Sequence, residues 1–409
     1  MSSPLSTTLT DIDNADVYID DVQVATLTRQ TNDTIEFDYS TLSSTGSSIR
    51  SHSVSWSLLA NGHYPVVTTG GAVPPFFAGL LPEGVRLGAV VSSTKTSIDD
   101  HLTLLLAVGA DTIGNVRIVP ADSVPPEPQP MFAPERDANF HSLFNRLAGS
   151  VDADPLALSG VQPKVSANMW SVPTNTPSGP AILKLTPPVG FPLLSENEHF
   201  FMRMAAACGL RVPTTRLLHD ADGRSALLVE RFDRRDGHRI AQEDACQVAG
   251  IYPASKYRMK TETAITALTD ACEAGGGSKS ASTLELLRTV VFSWIIGNGD
   301  LHGKNLSIYA PNALWQPSPA YDLLSTQPYT GWNDPMAMNL YGRANRLTRA
   351  NFIDAGLRLG LRERAVTRMI DALVKAAHGW AERCTEIGFD ARTTELLAGL
   401  LRHRLTTLM

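Results

Sequence analysis

The sequence predicts an α+β fold of two lobes, preceded by a smaller α/β subdomain and ending in a mostly α-helical C-terminal lobe. Three observations predict it. Apolar and polar residues alternate with period two early in the chain, at residues 17–28 and 34–39, which is the mark of short half-buried strands. A strand, helix and strand follow in the middle, at residues 181–185, 196–208 and 226–231. From Gln242 onward strand signals thin out, and long helical patterns such as 283–296 and 364–383 dominate.

The elements can be justified in chain order. Asp20 and Asp21 supply a turn inside the first strand region. Residues 41–53, rich in Ser, Thr and Gly, read as an exposed loop, and the apolar run from Phe76 to Leu81 is stopped by Pro82 and Gly84. Residues 97–108 read as a helix, opened by a capping-box-like Ser97-Ile98-Asp99-Asp100 and closed at Gly109. Between positions 120 and 134 stand six prolines, which cannot donate backbone hydrogen bonds, so the first boundary is placed there. This divides the chain into an N-terminal subdomain at 1–120, a Pro-rich linker at 121–134, a middle region at 135–235 and a helical lobe at 236–409. No internal repeat is visible.

Composition narrows the functional classes. At 409 residues with 43% hydrophobic and 19% charged residues, the chain can bury more than one core and is not disordered. A net charge of -6 argues against autonomous DNA binding, while leaving room for a local basic cleft. Cys208, Cys246, Cys272 and Cys384 are widely spaced and form no C-x-x-C pair, which suits a reducing cytoplasm. The polar, acidic first twenty residues do not resemble a signal peptide, and the apolar run near 290–296 is far too short to cross a bilayer. The ten histidines are scattered, with no H-E-x-x-H, and no serine lies in G-x-S-x-G.

The most informative segment is Ile296-Gly297-Asn298-Gly299-Asp300-Leu301-His302-Gly303-Lys304-Asn305, a polar loop on an apolar helical stem. Asp300 and Asn305 have the D-x-x-x-x-N spacing of protein kinases, in which Asp accepts the proton of the attacking hydroxyl and Asn holds a magnesium ion. Magnesium takes hard oxygen ligands, and Asp322, in an apolar and strand-like context, is the natural second one. Taken alone, Asp, Asn and Gly are also what turns are made of. His302 is a candidate for catalysis or for loop support. Lys184 stands in the middle of an apolar strand, where a buried ammonium needs an anion. In a kinase that anion is a phosphate of ATP, with a helix glutamate holding the lysine; Glu198 is the candidate and Glu196 the alternative. Ser159, Gly160, Val161, Gln162, Pro163 and Lys164 precede Lys184 as a weak phosphate-loop candidate, with backbone N–H groups as the anion ligands. Glu230, Arg231 and Phe232 end a strand where a kinase places its adenine-binding hinge, and a strand end explains them equally well.

Together these segments resemble the HipA family, serine/threonine kinases that act as toxins in bacterial toxin–antitoxin pairs, over nearly the whole chain. Leu80-Leu81-Pro82-Glu83-Gly84 and Val108-Gly109-Ala110-Asp111 with Gly114 resemble that family's N-terminal subdomain, which ordinary kinases lack. Ser159 to Lys164, Glu196-Asn197-Glu198-His199, the hinge from Leu228 to Arg234, the loop Asn298 to Asn305, and Tyr321-Asp322 follow in the family's order. The resemblance implies a two-lobed protein-kinase-like fold, ATP and Mg2+ as cofactors, Asp300 as the catalytic residue and Asn305 and Asp322 as metal ligands. It also implies Lys184 on the ATP phosphates and Glu230 to Phe232 around adenine. Implied partners are a protein substrate, an aminoacyl-tRNA synthetase in the better understood cases, and a small HipB-like DNA-binding antitoxin. Many members carry a phosphorylatable serine three positions before the loop glycine; here that position is Ala157, so autophosphorylation is absent or shifted to Ser159. A small-molecule phosphotransferase of the aminoglycoside type would share the same chemical parts, and an ATP-binding pseudokinase scaffold is the non-enzymatic alternative. The N-terminal motifs oppose the first and the intact Lys184, Asp300, Asn305 and Asp322 the second.

Overall fold

The computed structural model describes residues 8–39, 53–126, 139–148, 169–177, 179–187 and 189–409. The chain opens with an antiparallel hairpin, β1 (Asn14–Ile19) and β2 (Val22–Gln30), joined through Asp20 in the left-handed region at φ 52°. With β3 (Thr34–Asp38), β4 (Val66–Thr68) and β5 (Val116–Pro120) it forms a sheet in the order β4-β3-β2-β1-β5. The buried residues of the hairpin and β3, Val17, Leu27 and Phe37 among them, pack on Phe76, Phe77 and Leu105. These come from α1 (Pro75–Leu80) and, after α2 (Gly84–Thr94), from α3 (His101–Val108). That last helix starts four residues later than its sequence suggests. The Asp100 carboxylate, itself held by Arg29 and Thr96, accepts the Thr103 N–H at 3.3 Å and so fixes the cap one residue before His101.

The second sheet is also antiparallel, with β6 (Trp170–Thr176), β7 (Gly179–Leu185), β8 (Thr215–His219) and β9 (Ser225–Glu230) in the order β6-β7-β9-β8. Phe140, Leu143 and Phe144 of α4 (Phe140–Ala148) share a core with Val172, Leu183 and Leu228 of this sheet. The long α5 (Leu194–Ala207) connects β7 to β8. A tiny hairpin, β10 (Arg234–Arg235) and β11 (His238–Arg239), leads into the last lobe.

That lobe is built on one large core, which also takes in Phe200, Phe201 and Met204 of α5. Its elements are α6 (Ala245–Val248), α7 (Thr261–Ala274), α8 (Lys279–Ile296), α9 (Gln327–Thr330), α10 (Arg349–Arg358), α11 (Glu363–Ala377) and α12 (Ala391–Thr406). A three-stranded sheet, β12 (Gln242–Asp244), β13 (Ser307–Tyr309) and β14 (Gln316–Pro317), lies among them. The periodic pattern at 364–383 is not one helix. α11 ends at Ala377, where His378 turns extended and Gly379 takes φ 86°, and a separate 3-10 segment, Glu382–Ile387, follows. Among the described residues no helix is long and apolar enough to cross a membrane.

Candidate active site

Helix α8 is buried nearly all round from Thr289 to Ile296, so it forms a rigid stem for the loop beyond it. Gly297 ends it with φ 74°; a side chain there would strain the backbone and meet Gln327 Cγ at 2.7 Å. The loop then closes on itself. The Asp300 N–H donates to Asn298 Oδ1 at 2.9 Å, Asn305 Nδ2 donates to the Asp300 carbonyl at 3.0 Å, and the Tyr257 hydroxyl donates to Asp300 Oδ1 at 2.7 Å. Gly303 lies so close to Cys246 that an added Cβ would come within 2.7 Å of its Sγ, and its N–H donates to the Lys256 carbonyl at 3.2 Å. Asp300, buried among these partners, is therefore held both by its own loop and by Tyr257 from a separate segment.

Asp322 reaches the same place from the other side. Asn298 Nδ2 donates to its carbonyl at 3.3 Å, and the neighbouring Tyr321 hydroxyl donates to the Lys304 carbonyl at 2.7 Å. Asp322 does not lie in a strand, although its apolar neighbours suggest one. It occupies a loop with φ 55°, a left-handed conformation uncommon for a residue with a Cβ, held by contacts on both sides.

Lys184 projects from the middle of β7, paired in register with Ser171 and Leu227. Its ammonium donates to Glu198 Oε1 at 2.6 Å and to Asp322 Oδ1, so Glu198 rather than Glu196 supplies the helix carboxylate. Burial works against the charged lysine, but the Asp322 and Glu198 carboxylates more than offset it and raise its pKa. Burial raises Glu198 in turn, with Lys184 pulling it back, and the second Glu198 oxygen has no partner.

These groups border a cleft of about 360 Å³. Ile182 and Val229 from the second sheet, with Met169 just before it, form its apolar roof, and Asn305 and Tyr321 form its floor. The N-terminal subdomain supplies a third wall, from Gly79 to Glu83, Arg86 and Asp111 to Ile113. At the end of β9, Glu230 and Phe232 line the cleft, the Phe232 ring resting near Tyr309 and Tyr321 at 5.8 and 5.9 Å. Arg231 borders it too, but its guanidinium is already committed. It donates to Asp233 at 3.0 and 2.8 Å, to Asp111 at 3.0 Å and to the Thr112 carbonyl at 3.0 Å, tying the strand end to the N-terminal subdomain.

His302 lines the cleft, buried, with its ring edge-on to Tyr257 at 5.0 Å. Burial and the nearby Lys256 ammonium push its pKa down to about 4, so it is neutral at pH 7. Ser159, Gly160, Val161, Gln162 and Lys164, like Ala157, lie outside the described residues. Sequence reasoning missed Tyr257 altogether, and gave no role to Glu83, Lys256, Lys304 and Asp244, which cluster beside the loop. Glu83 pairs with Lys304 at 3.1 Å and with Lys256, while burial pushes Asp244 up to about 6. A lone Tyr in a Ser-Lys-Tyr-Arg run carries no spacing signal; only the quoted Leu-Leu-Pro-Glu-Gly string, with Glu83, and the quoted loop, with Lys304, touched this cluster.

Comparison with known proteins decides the family. A model of the HipA N-terminal domain matches residues 15–119, and one of the HipA-like C-terminal domain matches residues 156–381. The chain belongs to the HipA family. It is 31% identical over 345 residues to the putative kinase Y4mE of Sinorhizobium fredii, covering 78% of this chain and 81% of that one. It is 28% identical over 298 residues to the serine/threonine-protein kinase toxin HipA of Shewanella oneidensis, covering 66% and 67% of the two chains. The solved complex of Shewanella oneidensis HipA, HipB and operator DNA contains a chain that superposes with a TM-score of 0.70 at 23% identity, over 96% of both chains. The HipA fold is thus shared end to end: a two-lobed kinase-like body with a further N-terminal subdomain.

Proposed function

We propose that this HipA-family chain is an ATP- and magnesium-dependent serine/threonine protein kinase that acts as a toxin. The observation that carries the proposal is Lys184, held between Glu198 and Asp322 at the edge of a cleft whose floor contains Asn305 and abuts Asp300. A buried ammonium between two carboxylates has one proton donor more to offer, and the apolar roof with Glu230 and Phe232 suits a purine. The names of its relatives, a putative kinase and a serine/threonine-protein kinase toxin, support the kinase and toxin reading.

The donor set fits magnesium. Asn305 uses its amide N–H on the Asp300 carbonyl, which leaves its side-chain oxygen as an acceptor, and Asp322 adds a carboxylate; two hard oxygens leave positions for phosphate oxygens and water. Among the described residues no group of three or more His, Cys, Asp or Glu could hold a metal. Bound there, magnesium would neutralise charge on the phosphates. Lys184 orients the phosphate chain. Asp300, aligned by Tyr257 and Asn298, accepts the proton of a serine or threonine hydroxyl as that oxygen bonds to the γ-phosphorus and the bond to ADP breaks. His302, neutral and packed on Tyr257, supports the loop.

We extend the proposal to a cytoplasmic protein substrate, an aminoacyl-tRNA synthetase in the first instance, and to a HipB-like antitoxin that makes the DNA contacts. The HipB-bound structure of a relative and the net charge of -6 support that division of labour. Purified chain incubated with magnesium, labelled ATP and a bacterial lysate should label discrete proteins, identifiable by mass spectrometry. Label appearing only in small molecules, or none above an Asp300→Asn control, would sink the reading.

A further inference from the structure

Glu83 belongs to the N-terminal subdomain, at the position just before α2 where a side chain usually caps the helix. Its carboxylate makes no capping bond. It is instead turned to the C-terminal lobe, where it meets Lys304 Nζ at 3.1 Å and Lys256 Nζ. Burial disfavours the charge, but Lys304 and Lys256 outweigh it and bring Glu83 down to about 2, so the carboxylate is ionised at every working pH. Lys304 is further fixed by donating to the Gly79 carbonyl at 3.0 Å, one turn earlier in the same subdomain.

Both lysines lead to Asp300. Lys304 lies inside the loop between Asp300 and Asn305, and its carbonyl accepts the Tyr321 hydroxyl beside Asp322. Lys256 holds the loop through its carbonyl, which accepts the Gly303 N–H at 3.2 Å. Its ammonium lies 5.2 Å from the Tyr257 ring centroid, and the Tyr257 hydroxyl is the donor on Asp300 Oδ1. One carboxylate from outside the two kinase-like lobes therefore ties down the loop just after Asp300, at Gly303 and Lys304, and reaches Asp300 itself through Lys256 and Tyr257.

We propose that Glu83 is a positioning residue for phosphoryl transfer, setting Asp300 through Lys256, Tyr257 and Lys304, so that the N-terminal subdomain is a working part of the catalytic machinery. The inference rests on the kinase reading above. Neither ammonium has to touch substrate for this. A catalytic group displaced by about 1 Å from productive geometry costs on the order of a hundredfold in rate, and the clamp restrains such displacement.

Glu83→Gln keeps the shape and removes the charge. In steady-state kinase assays it should lower kcat by about ten- to a hundredfold while KM for ATP stays within about twofold, because the Lys184 grip is untouched. Its melting temperature should fall, because Lys256 and Lys304 lose the carboxylate they share, so the assays are run well below the transition. Combined with Tyr257→Phe it should fall no further than the worse single variant, since both act along one path to Asp300. Hydrogen exchange supplies a readout that needs no activity: the amides of Gly303 and Asn305 should exchange faster in Glu83→Gln than in the parent. An active parent with an unchanged kcat in Glu83→Gln overturns the inference, as does a loss that multiplies fully in the double variant. A parent without activity overturns the kinase reading instead, and the exchange comparison then decides the clamp: equal protection in both proteins overturns it.

Discussion

Replacing Lys184 with methionine tests the electrostatics of the cleft apart from any assay of function. The substitution keeps much of the side-chain volume and removes the ammonium that Glu198 and Asp322 share. The two carboxylates are not equally exposed. The Asp322 side chain is 25% accessible and can turn to water, whereas Glu198 is 1% accessible. Left without its cation, Glu198 is better off protonated. An unfolded Glu titrates near 4.3, so keeping it neutral in the fold at pH 7 spans about 2.7 pH units at about 1.36 kcal/mol each, or up to about 4 kcal/mol of lost stability. That agrees with the roughly 3–5 kcal/mol expected for breaking a buried pair. The sign follows from proton binding. In the variant the folded state holds a proton that the unfolded state has released, so stability falls as pH rises above about 4.3 and recovers as pH is lowered. Urea denaturation at pH 5 and pH 7.5, followed by fluorescence and circular dichroism, measures this. Adding Glu198→Gln to the methionine variant removes the stranded charge and should restore most of the loss at pH 7.5, with no return of nucleotide binding. Equal urea midpoints for parent and Lys184→Met at pH 7.5, or no recovery in the double variant, would refute the reasoning.

Four further outcomes are expected. Asp300→Asn should abolish phosphoryl transfer while leaving fold and most ATP affinity, measured by labelled-phosphate assay beside calorimetry. Asp322→Asn should weaken the magnesium-dependent part of nucleotide binding, seen as a flatter magnesium titration of ATP affinity. His302, held neutral with a pKa of about 4 against an ordinary 6.5, should cost the fold up to about 3 kcal/mol as pH falls from 6.5 to 4, because only the unfolded chain takes up the proton; His302→Gln should flatten that part of the urea profile. Expression without a cognate antitoxin should slow bacterial growth, and Lys184→Ala should relieve it, read from growth curves with matched protein levels.

Where local sequence dictates local structure, the reading succeeded. The turn at Asp20-Asp21, the strand around Lys184, the helix carrying Glu198 and the apolar stem ending at Gly297 all follow from periodicity and from residues that suit special backbone angles. It failed where a distant partner decides. The start of α3 is fixed by Asp100 within the reach of Arg29, 71 residues away, and the loop at Asp322 by Asn298 and Lys184, so apolar neighbours misled. The site divides the same way. Spacing picked out Asp300 with Asn305, and chemistry picked out Lys184, because an ammonium in an apolar strand demands an anion.

The sequence by itself picked out a lysine in an apolar strand, a helix glutamate, and a loop with Asp and Asn at fixed spacing on an apolar helix, a set that resembles the parts of a kinase. Only the tertiary structure decided that Glu198 and Asp322 share that lysine, that Arg231 faces Asp111 and Asp233, and that Glu83 and Tyr257 hold the loop. The reason is physical. Helix and strand periods report the neighbours a residue has within a few positions, whereas a buried charge takes its partner from whichever segment packing brings within about 3 Å, and no spacing in the chain records that choice.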